Sequence, residues 1–273
     1  CANGATYQVA PDIFSELGAA VTAIGVSPDG ININVDCGSL YPERLRQAVL
    51  EQGAQVGIAF DGDGDRVIMV DEQGEVLDGD EILFIIARQR LRHGVLRGPV
   101  VGTLMSNFGL EMALRELEVD FHRAKVGDRY VLEMLRRHDG IIGGESSGHI
   151  ICLDRTTTGD GIVSALQVLE AMMQAGKPLS ELKRGMSKLP QHMVNVPVAR
   201  GSDVLSAPAV QRALRAVEAE LAGDGRVLLR PSGTEPVVRV MVEGTSASEV
   251  ARLANELAAV VSEAAAGVPT AVN

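Results

Sequence analysis

The segment QVGIAFDGDGDRVIMV, residues 55–70, joins two apolar runs through a loop in which aspartates alternate with glycines. Each run has the length and the β-branched content of a buried strand. The loop places Asp61, Asp63 and Asp65 within five positions. Carboxylates this close repel one another unless something positive lies among them. The segment therefore predicts two strands joined by a loop that binds a cation.

The oxygen ligands of this loop suit a hard divalent cation, Mg²⁺ or Ca²⁺. Arg66 follows directly, and its guanidinium could pair with an anion that also contacts the metal. An EF-hand calcium loop is an alternative, because it also begins D-x-D-x-D and Glu72 could supply its last ligand. Against it, the sixth position is Arg66 rather than glycine, and the flanks resemble strands. A solvated acidic turn is the other alternative, which the apolar flanks disfavour.

Helical and strand-length patterns alternate on both sides of this unit and predict α/β layering. Residues 7–19 predict a helix that ends at Gly18, residues 20–26 a strand, and residues 41–54 a second helix. The turn DEQGE, which begins at Asp71, could close a hairpin after the second strand.

Three domains are expected along the chain. From about Asp78, alternating helices and strands predict a second α/β domain with a mostly parallel sheet. Residues 177–190 contain Lys, Pro and Ser and are interpreted as a link. The remaining segments predict a small α+β domain with antiparallel strands. The expected bounds are 1–75, 76–190 and 191–268.

Composition limits the environment and the partners of the chain. Its 273 residues carry a net charge of −11, which argues against nucleic acid and anionic membrane surfaces as partners. No signal sequence or membrane-length apolar run is visible, so a soluble, cytoplasmic protein is expected. Three cysteines without metal-type spacing predict free thiols. Because the first residue is Cys1, we expect a fragment of a longer protein.

The stretch RPSGTEP offers a site for a phosphate group. Arg230, the hydroxyls of Ser232 and Thr234, and the backbone amides around Gly233 can all donate to phosphate oxygens. Arg239 in the next strand could add a second guanidinium. The alternative is an ordinary turn between two strands.

A second basic turn, RAKVGDRY, lies at a predicted strand-to-helix junction. Arg123, Lys125 and Arg129 surround Gly127 there, and the amides at a helix N-terminus also favour an anion. A solvated basic turn is the alternative.

The loop GGESSGH, residues 143–149, combines an acid, serines and a histidine. Glu145 and Ser147 are suited to bind vicinal hydroxyls, and His149 could move a proton. The alternative is a structural histidine in an ordinary turn.

In their order along the chain, DGDGDR, KVGDRY, GGESSGH, TTTGDG and RPSGTEP resemble the α-D-phosphohexomutase superfamily over nearly all of the sequence. Within it, the tripeptide MSN at 105–107 and the form PSGTEP favour the bacterial amino-sugar branch over phosphomannomutases and phosphoglucomutases. At Ser146 the family usually has Asn or Gln, which is a departure from its pattern.

The resemblance implies four domains around a cleft: three related α/β domains and a C-terminal domain similar to the TATA-binding-protein fold. This chain would supply two α/β domains, the first incomplete, followed by the small α+β domain. The family's nucleophilic serine belongs to domain 1, in a Ser-His-Asn loop that this sequence does not contain. We therefore expect a C-terminal fragment that is inactive alone.

The resemblance also implies an isomerase. A phosphoserine would give its phosphoryl group to a hexose monophosphate, and the bisphosphate formed would return the other phosphate. In the amino-sugar branch this interconverts glucosamine 6-phosphate and glucosamine 1-phosphate, towards UDP-N-acetylglucosamine and peptidoglycan. Mg²⁺ and a glucosamine or glucose 1,6-bisphosphate activator are the implied cofactors, and a homodimer is one possible assembly. Another phosphohexomutase, or a non-catalytic sugar-phosphate- or calcium-binding module, remains the alternative.

Site roles follow from the same resemblance. Mg²⁺ would be bound by Asp61, Asp63 and Asp65. The catalytic group would comprise Arg66, Lys125 and His149. Substrate would be bound by Glu145, Ser147, Arg129, Arg230, Ser232, Gly233, Thr234 and Arg239.

Overall fold

The structure, a computed structural model, describes residues 1–199, 203–232 and 235–267. It divides into two compact units, residues 1–187 and residues 188–273. Among the described residues, no helix is both long enough and apolar enough to cross a membrane. The three cysteines are free thiols, as predicted.

The predicted strand–loop–strand unit is present and forms an antiparallel sheet in the first unit. Strand β1 (Val56–Phe60) pairs with β2 (Val67–Asp71), and β2 pairs in turn with β3 (Val76–Leu77). All five residues of β2 are buried, which explains why the first four, residues 67–70, are apolar. The aspartate loop is the connection of the β1–β2 hairpin, and the predicted turn after Asp71 closes the β2–β3 hairpin.

Two helices precede this sheet, as the sequence predicts: α1 (Val9–Glu16) and α2 (Glu43–Gln52). The chain turns after α2 at Gly53, whose φ of 61° is left-handed and suits glycine.

The strand predicted for residues 20–26 is wrong. The carbonyls of Ile24 and Gly25 do accept hydrogen bonds, from the N-terminal amine of Cys1 and the amide of Asn3. However, Ala2, Asn3 and Gly25 all have positive φ angles, which interrupt the extended backbone that a ladder needs.

A second sheet of the first unit has the order β5-β4-β6-β7. Its strands are β4 (Val100–Thr103), β5 (Phe121–Ala124), β6 (Ile142–Gly144) and β7 (Ile150–Cys152). Strand β4 is parallel to β5 and β6, and β7 is an antiparallel edge strand. The sheet is therefore mostly parallel, as predicted. No sequence pattern separately predicts the three-residue strand β7.

Helices surround this sheet. They are α3 (Gly79–Arg92), α4 (Phe108–Glu116), α5 (Asp128–Arg137), α6 (Gly161–Ala175) and the short α7 (Leu179–Leu182). Helix α3 buries most of its length and packs against α6.

The stretch interpreted as a link contains α7 and packs into the first unit. Leu179 and Leu182 are buried in the core shared by both sheets. Lys183 forms an ion pair with the fully buried Asp71, at 2.9 Å. Residues 177–187 therefore belong to the first unit and pack into its core.

The second unit combines helices with an antiparallel sheet, as predicted. Strands β8 (Gln191–Pro197), β9 (Gly225–Pro231) and β10 (Val237–Gly244) form an antiparallel sheet with β10 in the centre. A 3₁₀ turn (Val204–Ser206) leads into α8 (Pro208–Leu221), and α9 (Ala247–Gly267) follows β10. Alternate residues of β10 belong to the core formed with the two helices: Val238, Val240 and Val242.

Candidate active site

Asp61 shapes the aspartate loop. It follows β1, and its Oδ1 accepts hydrogen bonds from the amides of Gly64 (3.1 Å) and Arg66 (3.2 Å). Burial raises the pKa of the Asp61 carboxyl; the amide of Arg66 opposes this rise, and the nearby charge of Asp65 adds to it. An ionised Asp61 therefore carries an energetic cost in the metal-free loop.

Asp65 lies between a histidine and an arginine. Its Oδ2 is 3.1 Å from Nδ1 of His149. Its Oδ1 is 3.9 Å from Nε of Arg66, and this oxygen has no hydrogen-bond partner in the described part of the chain. The same Nε is 4.0 Å from Oδ2 of Asp61. Arg66 is 43% exposed at its side chain, so its guanidinium can also reach a ligand.

Asp61 and Asp65 lie close together, since the charge of Asp65 adds to the rise that burial causes in the pKa of Asp61. Asp63 is exposed. Within residues 1–199, 203–232 and 235–267, no three acidic, histidine or cysteine side chains form a metal-type cluster. The donor chemistry nevertheless fits Mg²⁺, because all three side chains offer hard oxygens, and the buried Oδ1 of Asp65 receives no hydrogen bond from the residues that the structure describes.

The loop GGESSGH, residues 143–149, which is predicted to bind sugar hydroxyls and is called the sugar loop below, makes a tight turn between β6 and β7. The amide of Gly148 donates to the carbonyl of Glu145 at 2.9 Å, while Ser147 is exposed. Gly148 has a φ of 95°, and a Cβ there would lie 2.2 Å from the carbonyl oxygen of Val67. Only glycine therefore permits the amide of Val67 to donate to Gly148 at 3.0 Å. This bond joins the sugar loop to the strand that follows the aspartate loop.

Glu145 connects the sugar loop to the basic turn. Its Oε1 accepts a hydrogen bond from the amide of Gly127, the residue before α5, at 2.9 Å. Lys125 and Arg129 lie on the surface beside this contact, both over the ring of Tyr130. Arg129 also donates to the hydroxyl of Tyr130, which lowers the pKa of that phenol. The two exposed cations are thus held beside Tyr130, one on each side of Gly127 in the sequence.

Arg123, predicted with them as an anion ligand, points into the fold. Its guanidinium donates to the carbonyls of Thr103 (3.0 Å) and Ser106 (2.7 Å) and pairs with Glu111. It ties β5 to the turn before α4.

In the same turn, the side chain of Asn107 accepts from the amide of Gly109 at 2.9 Å and begins α4. The MSN tripeptide is therefore at least partly structural.

His149, predicted as a catalytic residue, is enclosed by protein. It is 5% exposed. Its Nε2 has no hydrogen-bond partner within the described residues, and a Cβ on Gly159 would lie 2.2 Å from that nitrogen. A proton-transfer residue must reach the reacting group directly or through one water. The geometry therefore favours a role in positioning other groups over proton transfer to a substrate.

The segment TTTGDG, residues 156–161, makes contacts that its sequence motif did not predict. The amide of Gly161 donates to the carbonyl of Gly64 at 2.9 Å, which links it to the aspartate loop. Asp160 accepts from the amide of Val163 at 2.9 Å and begins α6. An Asp directly before a helical pattern is an N-cap signal that could have placed this helix start.

In the second unit, the predicted phosphate site lies where β9 turns into β10. Arg230 and Arg239 are directly opposite each other in this antiparallel pair, so their side chains share a face. Arg239 also pairs with Glu235 at 3.2 Å, and Oγ of Ser232 accepts from the amide of Glu235. Like charges directly opposite are destabilising, and an anion between them would relieve this. Gly233 and Thr234, predicted for the same site, lie outside the described residues.

Family models match the chain in three consecutive parts. They are described as phosphoglucomutase/phosphomannomutase alpha/beta/alpha domain II over residues 1–74, alpha/beta/alpha domain III over residues 78–189, and the C-terminal domain over residues 193–260.

Similar proteins agree with these matches. The phosphoglucosamine mutase of Alkalilimnicola ehrlichii is 65% identical over 97% of this chain, and that of Halorhodospira halophila is 62% identical over 99%. The chain spans 58% and 59% of the length of these two relatives.

Solved structures share the fold. A phosphoglucomutase/phosphomannomutase family protein of Burkholderia thailandensis superposes with a TM-score of 0.79 at 24% identity, over 98% of this chain and 60% of that one. The N-acetylphosphoglucosamine mutase of Aspergillus fumigatus, in complex with GlcNAc-6P and magnesium, gives 0.74 at 23% identity, over 97% and 61%. The chain belongs to the phosphoglucomutase/phosphomannomutase family, of which it matches domains II and III and the C-terminal domain.

Proposed function

We propose that this chain is the metal-, sugar- and phosphate-binding part of a phosphoglucosamine mutase. Such an isomerase interconverts glucosamine 6-phosphate and glucosamine 1-phosphate in the cytoplasm, for UDP-N-acetylglucosamine and peptidoglycan synthesis. The observation that carries the proposal is the joining of four motif loops by hydrogen bonds. Gly161 donates to Gly64 of the aspartate loop, Val67 donates to Gly148 of the sugar loop, and Gly127 donates to Glu145. Relatives with this name at 65% and 62% identity support the choice of sugar.

The aspartate loop would hold the metal. Mg²⁺, when bound by Asp61, Asp63 and Asp65, neutralises charge on a transferring phosphoryl group. Arg66 lies beside two of these carboxylates, and its partly exposed guanidinium is placed to orient a phosphate oxygen there. The phosphoserine that donates the phosphoryl group would come from domain I of the family, which none of the three matches covers.

The remaining motif residues would bind and orient the sugar phosphate. Glu145 and the exposed Ser147 would contact hydroxyls, and Lys125 and Arg129 would attract the anionic substrate. The pair formed by Arg230 and Arg239, with the hydroxyl of Ser232, would bind the phosphate that is not being transferred. Binding energy from this distant phosphate can then be used to orient the reacting end. A 1,6-bisphosphate of glucosamine or glucose would act as the activator.

The metal assignment is tested with Asp63→Asn. Asp63 is exposed, so its replacement should leave the fold intact. We expect Mg²⁺ affinity, measured by isothermal titration calorimetry on the whole chain, to fall at least about tenfold. Asp224→Asn, an exposed acid in the second unit, removes the same charge and should leave the affinity unchanged. Equal affinities in the parent and Asp63→Asn would overturn the assignment.

Substrate choice and assembly have separate tests. A fusion that carries a complete domain I should prefer glucosamine phosphates over mannose and glucose phosphates. The opposite preference would favour another phosphohexomutase, and binding without turnover would favour a non-catalytic module. Light scattering of the same fusion would distinguish a homodimer from a monomer.

A further inference from the structure

We propose that His149 is a positioning residue: its Nδ1 holds Asp65 in the orientation needed for metal binding, and residues 159–161 hold the side chains of His149 and Asp65 in place. We call residues 159–161 the brace loop. The inference rests on the proposed function, because it assumes that Asp65 is a metal ligand. It assigns to His149 a role that acts through another residue rather than on the substrate.

The contact between His149 and Asp65 links two distant loops. Nδ1 of His149 lies 3.1 Å from Oδ2 of Asp65, and a backbone bridge pairs His149 with Arg66. A carboxylate accepts hydrogen bonds, so Nδ1 is the donor in this pair. With Oδ2 engaged, the other oxygen of Asp65 is turned to the side where Arg66 and Asp61 lie. One oxygen is thereby fixed, and the other remains for a cation.

The opposite side of the imidazole ring is closed by the brace loop. Gly159 is buried, pairs with Ile151 through a backbone bridge, and leaves no room for a Cβ next to Nε2. The ring therefore cannot tilt towards the brace loop, nor can Nε2 reach a ligand on that side. The buried environment keeps the ring in one orientation.

The brace loop also supports the aspartate loop itself. Gly161 donates to the carbonyl of Gly64, and a Cβ on Gly161 would lie 2.8 Å from the carbonyl oxygen of Arg66. Asp160, between the two glycines, anchors the loop to the first turn of α6. A rigid helix thus stands behind both the histidine and the loop that carries the carboxylates.

Hydrogen bonds to a ligating carboxylate fix its orientation, and their loss commonly reduces metal affinity about 10–100-fold. Two substitutions separate a role of Nδ1 from a role of Nε2. In His149→Asn the amide nitrogen occupies the place of Nδ1 and can still donate to Asp65. In His149→Gln the amide lies near the place of Nε2. His149→Ala removes both.

The test measures Mg²⁺ affinity of the whole chain by isothermal titration calorimetry. We expect His149→Asn to stay within about threefold of the parent, and His149→Gln and His149→Ala to weaken binding about tenfold or more. Gly159→Ala should weaken binding similarly by displacing the ring. Gly267→Ala, where an added Cβ meets nothing within 4 Å, is the matched control. Melting temperatures identify any variant that fails to fold.

Activity in a fusion with domain I gives a second readout. A positioning role predicts that saturating Mg²⁺ restores most of kcat in His149→Ala and that KM for the sugar phosphate stays unchanged. A proton-transfer role predicts a kcat loss that Mg²⁺ does not repair and that His149→Asn shares. Parent-like Mg²⁺ affinity in His149→Ala, or equal loss in His149→Asn, would overturn the inference alone. If the parent chain itself binds no Mg²⁺, the proposed metal site fails first, and the inference fails with it.

Discussion

Asp61, one of the proposed metal ligands, lies where its ionisation costs stability. Its carboxylate is largely buried beside Asp65, and both effects disfavour its ionised form. Two backbone amides compensate only in part. Residues that bind ions are often held in such unfavourable surroundings, because the bound ion supplies the missing charge.

Replacement of Asp61 by Asn tests this balance. The folded-state pKa of Asp61 is raised, so its ionisation at higher pH destabilises the folded chain, and protonation at lower pH removes that cost. Asn is neutral at every pH and keeps an oxygen for the amides of Gly64 and Arg66. Without metal at pH 8, we expect Asp61→Asn to melt at a higher temperature than the parent. The difference should shrink as the pH falls.

Thermal melts between pH 4 and pH 8, with and without Mg²⁺, provide the measurement. Mg²⁺ should raise the melting temperature of the parent and leave Asp61→Asn unchanged. A metal-free variant that melts below the parent at pH 8 would contradict the account of Asp61.

At the scale of elements, the β2–β3 hairpin is tied to α7 by charge. Lys183 pairs with Asp71, which is fully buried, and with the exposed Glu75. On the same side, Ser180 donates to Glu72. Because β2 begins directly after the aspartate loop, this contact connects the end of the second α/β domain to the base of the candidate metal site.

Lys183→Met should destabilise the first unit. It removes the cation from a buried carboxylate while it keeps most of the side-chain volume, and leaving a buried charge unpaired costs about 3–5 kcal/mol. Because Lys183 is 17% exposed and water can partly replace it, we expect about 2–3 kcal/mol in urea unfolding. Lys177→Met, in a surface pair with Glu181, should cost less than about 0.5 kcal/mol. Equal losses in the two variants would show that the buried pair is unimportant.

The sequence predicts most elements because their patterns are local. Helices α2 and α6 and strand β2 follow from apolar periodicity, and the end of α2 also follows from Gly53. Residues 20–26 have a strand-like composition, but the positive φ angles of Gly25 and of the neighbouring Ala2 and Asn3 prevent a ladder of strand hydrogen bonds. The segment 177–190 reads as a link because the contact of Lys183 with Asp71 is tertiary.

Contacts within the candidate site could not be predicted from the sequence for the same reason, because they are tertiary. Motifs identify the residue types, including Asp65, Glu145 and His149, but not which of them touch. The burial of His149 depends on Gly159, and the engagement of Glu145 depends on the amide of Gly127. Neither contact leaves a periodic or compositional signal, so only the structure separates a positioning residue from one that faces the ligand.

At the scale of the whole molecule, net charge and the proposed substrate oppose each other. A chain with a net charge of −11 repels a sugar phosphate at long range. Binding must then depend on local cations, and the facing arginines of β9 and β10 supply two of them. The proposed recognition of phosphate would therefore depend on a few short-range contacts.

If this chain supplies the metal, sugar and phosphate sites of a phosphoglucosamine mutase, restoring domain I should produce activity. The most direct measurement joins domain I of the Alkalilimnicola ehrlichii relative ahead of Cys1 and follows conversion of glucosamine 6-phosphate to glucosamine 1-phosphate. Mg²⁺ and glucose 1,6-bisphosphate are present. We predict turnover by the fusion, none by the chain alone, and loss of turnover in the fusion with Asp63→Asn. A folded fusion that binds Mg²⁺ but does not convert glucosamine phosphate would contradict the account.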